Sequence, residues 1–234
     1  MEKDCIAVIA AEEQELAGLA EFLSGAVRIE GAAGCSYLIG EAGRCCVVAM
    51  RCGIGKVNAA IGTQAMIDAY HPRALINIGA AGALAPGLEV YDVVISTDAV
   101  QHDMDVTALG YAPGVVPDQK ESYFQADPGL IREAREAGEA EGLRIFEGRV
   151  ASGDLFVADE AARRRIAGLF GALCAEMEGA AVAQTCLRNQ IPFVIIRSIS
   201  DTAGQDAGVS YGEFSAKAAA HAVHILKRMI SARQ

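Results

Sequence analysis

Acidic side chains stand at three places where they could meet a ligand. Glu12, Glu13 and Glu15 follow the apolar run CIAVIAA; Glu176 and Glu178 lie in CAEMEGAAVA; Asp201 closes the run FVIIRSISD. The stretch from 174 to 201 reads as a helix with two carboxylates at its start, a turn at Ile191-Pro192, and a buried strand ending in Asp201. A helix start stabilises a carboxylate through the helix dipole. The carboxyl end of a buried strand is where open α/β sheets bind ligands. Acids converging on one such mouth suggest acid/base chemistry on a polar ligand. Composition alone leaves open whether one of Glu12, Glu13 and Glu15 joins them or whether all three are ordinary first-turn charges.

Other constellations carry less. GIGK at 53–56 suggests a phosphate cradle at a helix start. It lacks both GxxxxGK[ST] and the third glycine of a dinucleotide fingerprint, so a structural glycine turn is the better reading. GAAGALAPG at 79–87 reads as a loop after a buried strand, where glycines let backbone approach a ligand closely. His102, Asp103 and Asp105 have no further His or Cys at a ligand spacing. The expectation there is a hydrogen-bonded loop, with no metal and no cofactor. His71, His221 and His224 sit at a helix end or on the last helix, where structural roles suffice.

The elements that must position these acids alternate between strand and helix. Short apolar runs at 5–11, 27–30, 35–40 and 45–50 read as strands, as do ALINIG, YDVVISTDAV and RIFEGRVASGD. EEQELAGLAEFL places apolar residues at 16, 19, 20 and 23, which is helical spacing. Helices are also expected after GIGK, at 128–141, over DEAARRRIAGLF, and at 211–232. The pattern predicts an α/β chain with a mixed sheet covered on both faces, in one domain spanning 1–234. The stretch from 102 to 127 is too long for a mere connection, and such loops are usually functional.

Composition bounds the partners. Hydrophobic residues make up 52% of 234, ample for a sizeable core, and the mean hydropathy is +0.26. A formal charge of −10 and a pI near 4.9 argue against nucleic acid or an anionic membrane as the main partner. Seven cysteines without a CxxC pair read as buried free thiols in a reducing compartment. Acids interrupt the first apolar run at once, so neither a signal peptide nor a membrane span is expected there, and the cytoplasm is.

Taken in order, AAEEQEL, GIGKVNAA, INIGAAGAL, HDMDVTALGY, SGDLFV, AEMEGAAVA and RSISDTAG closely resemble the nucleoside phosphorylase superfamily over nearly the whole chain. They are most similar to its hydrolytic branch, the 5′-methylthioadenosine/S-adenosylhomocysteine nucleosidases. AEMEGAAVA with RSISD at this separation is the specific part. The resemblance implies a three-layer α/β/α sandwich with a mixed central sheet, assembled as a homodimer, that releases adenine from the nucleoside.

The same resemblance implies roles. Glu15 matches the acid that polarises the attacking water, and Arg197 the arginine that helps position it. Glu178 matches the acid that binds the ribose hydroxyls, with Met177 against the sugar. Asp201 matches the donor to purine N7, supported by Ser200, while Phe156 and Val157 hold the base. Ile54 and Tyr211 match positions near the 5′ substituent. Val106, Leu109, Tyr111 and Pro117 match a loop that covers the partner subunit's site. For this chemistry at neutral pH Asp201 must hold or share a proton, which burial favours.

The chain departs from the pattern at three of these positions. Glu12 stands where the family usually has methionine, Leu109 replaces a phenylalanine, and Ala80 replaces a hydroxyl residue, so one ribose hydrogen bond is expected to be missing. Phosphorylases of the superfamily carry arginines where this chain has Glu12–Glu15 and Asn77, so water is the expected nucleophile. Cleavage of 6-amino-6-deoxyfutalosine or 5′-deoxyadenosine, phosphorolysis, and non-enzymatic nucleoside binding are the alternatives.

Overall fold

A computed structural model describes residues 5–201 and 207–233. The first half contains β1 (Cys5–Ala10), a 3₁₀ turn (Glu13–Leu16), α1 (Leu19–Phe22), β2 (Ser24–Glu30), β3 (Ser36–Ala42) and β4 (Cys45–Arg51). Next come α2 (Lys56–Tyr70), β5 (Ala74–Ala83), β6 (Val93–Gln101), a 3₁₀ turn (Thr107–Leu109), β7 (Tyr123–Gln125) and α3 (Pro128–Ala140). The chain closes with β8 (Ile145–Ser152), α4 (Glu160–Phe170), β9 (Cys174–Glu176), α5 (Gly179–Asn189), β10 (Phe193–Asp201) and α6 (Ala207–Ser231). Thr202, Ala203 and Gly204 of the RSISDTAG motif and residues 1–4 lie outside the described residues.

The sheet is mixed and helices cover both faces, as β1 shows. Its side chains alternate across the pleat. Ile6, Val8 and Ala10 pack into a core with Leu130 and Ala134 of α3 and with Val223 and Leu226 of α6. Ala7 and Ile9 face the opposite core, with Met66 of α2 and Val182 of α5. Burying each such isoleucine contributes about 1.5–3 kcal/mol. The small residues Ala180, Ala181 and Ala183 let α5 lie close on its face of the sheet.

Four parallel neighbours form the part of the sheet that matters for the site. Their order is β10, β5, β1, β4, so their carboxyl ends share one rim. β10 also pairs antiparallel with β6. Through β6–β8, β8–β9 and β9–β5 the pairing returns to β5, closing a ring of strands.

Three local expectations are corrected. Cys174–Glu176 is a short strand rather than a helix start, held between Val150–Ser152 of β8 and Gly82–Ala83 of β5. Helix α5 therefore begins at Gly179, beyond both glutamates. EEQELAGLAEFL is not one helix: Gly18, at φ +74°, separates the 3₁₀ turn from α1. The loop expected at 79–87 is strand as far as Ala83, because β10 and β9 both pair with it. None of the seven cysteines is in a disulfide.

Candidate active site

The rim of β10, β5, β1 and β4 opens on a cavity lined by residues at or just beyond these strand ends, the place where α/β sheets hold ligands. Among the described residues its walls carry the carboxyl side chains of Glu12, Glu15, Glu176, Glu178 and Asp201, and no Lys, Arg or His.

Glu15 projects from the 3₁₀ turn after β1 and is 5% exposed. Its Oε2 accepts from the Ala11 and Glu12 N–H groups, both at 2.9 Å, and its Oε1 accepts from Ala80 N–H at 3.0 Å. Three backbone donors thus fix the carboxyl in one orientation. Burial pushes its pKa up, while the Arg197 charge and the Glu12 and Ala80 N–H groups pull it back. A methyl on Gly79 would lie 2.7 Å from Glu15 Oε1 and 3.2 Å from Arg197 Nη1, so only glycine lets these side chains approach there.

Glu178 sits just before α5, and its Oε1 accepts from Gly55 N–H at 2.8 Å. Burial, reinforced by the charge of Glu176, raises its pKa to about 8. The GIGK turn therefore serves protein carboxylates: Lys56 N–H donates to Asp154 Oδ1 at 2.8 Å, beside the Gly55–Glu178 contact.

Asp201 ends β10 and is 2% exposed. Ser200 Oγ donates to its Oδ2 at 2.9 Å. Ala81, Gly82, Phe156 and Val157 also line the cavity. Phe156 meets Tyr211 of α6 edge-on, with ring centroids 5.8 Å apart. Ile54, Ala80 and Met177 also line the cavity, as does Tyr211, whose hydroxyl donates to Glu12 Oε2. Glu13 points away and pairs with Arg28 on the surface.

Arg197 stands behind the wall rather than on it. Its Nε donates to Glu176 Oε2 at 3.1 Å, its Nη2 donates to the same oxygen, and Nη2 donates to Asn77 Oδ1 at 2.7 Å. Asn77 Nδ2 in turn donates to Ile9 O at 2.9 Å. The arginine acts through the groups it holds and through its charge on Glu15.

Sequence reasoning reads Glu176 as structural, and its partners bear that out. Besides Arg197 it accepts from Ser152 Oγ and from the Glu178 and Gly179 N–H groups. Leu155 escaped notice, although SGDLFV contains it. Val106, Leu109, Tyr111 and Pro117 do not line the cavity of their own chain, and Leu109 is 73% exposed. In the loop at 102–127, Asp103 bonds Lys56 Nζ and Asp154 N–H, and Asp105 bonds Thr107. The loop is thus hydrogen-bonded as expected, although the buried His102 ring itself makes no hydrogen bond. Among the described residues no group of three or more His, Cys, Asp or Glu is placed to hold a metal.

Residues 5–231 match the phosphorylase superfamily. The 5′-methylthioadenosine/S-adenosylhomocysteine nucleosidase of Geobacillus kaustophilus is 42% identical over 227 residues, covering 96% of each chain. The chain belongs to the 5′-methylthioadenosine/S-adenosylhomocysteine nucleosidase family. A second member, from Bacillus subtilis, is 42% identical over 230 residues, covering 96% of this chain and 97% of its own. The nucleosidase of Neisseria meningitidis, solved with methylthio-immucillin-A, superposes with a TM-score of 0.94 at 39% identity. That match covers 98% of this chain and 99% of the other. The nucleosidase fold is thus shared along essentially the whole chain. No described helix is long and apolar enough to cross a membrane.

Proposed function

We propose that the protein hydrolyses the N-glycosidic bond of 5′-methylthioadenosine and S-adenosylhomocysteine, releasing adenine and the 5-thio-substituted ribose. The observation that carries this reading is a cavity with carboxyl groups on separate strand ends and, among the described residues, no basic residue on its wall. Bond breaking builds positive charge on the ribosyl ring and negative charge on the departing adenine. Asp201, steadied by Ser200, donates to N7 and neutralises the leaving group. Glu15, held by three N–H groups, takes a proton from water at the sugar and faces the cationic ring. Glu178 holds the ribose hydroxyls, Met177 packs on the sugar, and Phe156 and Val157 hold the base.

Water rather than phosphate is the nucleophile because an acidic wall repels an anion. The buried Arg197 guanidinium behind the wall is already engaged by Glu176 and Asn77. Incubation with 5′-methylthioadenosine in phosphate-free buffer tests this: adenine and free methylthioribose are expected. A strict phosphate requirement would replace hydrolysis with phosphorolysis.

The working unit is a homodimer of single-domain chains. Ile54, Val57 and Ile61 present an exposed apolar face at the start of α2, and Leu109 and Tyr111 are exposed on the loop. Packing against a second copy would cover both and bring Val106, Leu109, Tyr111 and Pro117 over the partner subunit's cavity. Cysteines without disulfides suit a reducing compartment, the cytoplasm.

A further inference from the structure

The order of the rim assigns the two ends of the cavity. Asp201 stands on β10, Ala80 to Gly82 on β5, Ala11 and Glu12 just after β1, and Ile54 just after β4. Gly53 N–H donates to Ala11 O at 3.1 Å, which sets these last two segments side by side. Neighbouring strands lie about 4.8 Å apart, so Glu12 stands roughly 10 Å, two strands, from Asp201. With the purine at Asp201 and the ribose between Glu15 and Glu178, the 5′ substituent falls at Glu12 and Ile54. That placement rests on the function proposed above.

Glu12 is built into this end. Its Oε2 accepts from Tyr211 Oη and from Gln14 Nε2 at 3.0 Å, and Tyr211 is itself braced against Phe156. Among the described residues no cation pairs with Glu12, and none lines the cavity. A wholly apolar tail lying here strips water from the carboxyl and offers it nothing in return. An ammonium on the tail supplies a charge-assisted hydrogen bond instead.

We infer that Glu12 is a specificity-determining residue, making the 5′ end select nucleosides whose tail carries an ammonium group over those with a purely hydrocarbon tail. Of the two tails in the proposed reaction, homocysteine carries such a group and methylthio does not. The homocysteine carboxylate complicates a direct comparison, so a simpler pair isolates the effect.

The test compares 5′-(2-aminoethylthio)-5′-deoxyadenosine with its 5′-propylthio isostere, which differs only in replacing the ammonium by a methyl. Hydrolysis is followed for the unmutated protein, Glu12→Gln and Glu12→Met; dissociation constants are measured calorimetrically in the Asp201→Asn background. The unmutated protein is expected to favour the aminoethyl compound by about tenfold in kcat/KM and in Kd. Glu12→Gln, which keeps an oxygen for Tyr211 and Gln14, is expected to abolish that preference, and Glu12→Met to reverse it. An equal ratio in the unmutated protein and Glu12→Gln would overturn the inference. A binding preference without any hydrolysis would sink the nucleosidase reading and leave the selectivity standing. Hydrolysis without preference would do the opposite.

Discussion

Glu176 and Glu178 are two residues apart and almost equally buried, at 7% and 6% exposed, yet their surroundings differ in kind. Glu176 is saturated: Arg197, Ser152 and the Glu178 and Gly179 N–H groups all donate to it. Glu178 takes one backbone donor from Gly55 and otherwise faces the cavity, and its pKa rises to about 8. Burial disfavours the charge of any carboxylate, but the donors around it decide whether that is offset inside the protein or left for a ligand. Glu176 is the group that fixes the frame. Glu178 is the one left open to the cavity.

The strongest way to break this comparison is to remove the cavity acids. Asp201→Asn and Glu15→Gln are each expected to lower kcat/KM by ~10²–10⁴-fold while nucleoside binding persists, as read by steady-state kinetics and calorimetry. Unchanged turnover would remove the altered residue from the mechanism. Behind the wall the effect is on folding instead. Arg197→Met strands Glu176 in the core and is expected to destabilise the protein by about 3–5 kcal/mol in denaturant unfolding. Adding Glu176→Leu should recover part of that loss. An equal loss from Glu178→Gln would erase the distinction between the two glutamates.

A third prediction concerns pH. The folded pKa of Glu178 lies above its ordinary value of 4.5, at about 8. Its contribution to stability is therefore fully present below about pH 4.5 and is lost as pH rises through about 8. Glu178→Gln should flatten the fall in unfolding free energy across that window, and a slope identical to that of the unmutated protein would contradict the assignment. The smallest effect is at Ala80. Ala80→Ser should restore a ribose contact worth about 1 kcal/mol, visible as a few-fold lower KM.

Much of this was legible in the sequence because it follows local pattern. The apolar run ending at Asp201 announced a buried strand with an acid at its carboxyl end, and the glycine-opened helix after residue 55 formed as expected. Glu15 was recognisable through its motif, whereas the three N–H donors that orient it come partly from β5, far along the chain. What escaped was non-local. CAEMEG looks helical, and only pairing with β8 and β5 makes its first residues a strand. Helical spacing in EEQELAGLAEFL is real, but the left-handed Gly18 splits it. No periodicity reveals that Arg197 points at Glu176 and Asn77 rather than into the cavity.

The division of labour between Glu15 and Asp201 is the central claim, and a substrate that needs no leaving-group protonation tests it most directly. A 5-methylthioribosyl compound with a p-nitrophenolate leaving group departs without a proton at N7. The account predicts that Asp201→Asn cleaves it within about tenfold of the unmutated protein, while Glu15→Gln still loses ~10²-fold or more. Equal losses in the two variants would contradict it.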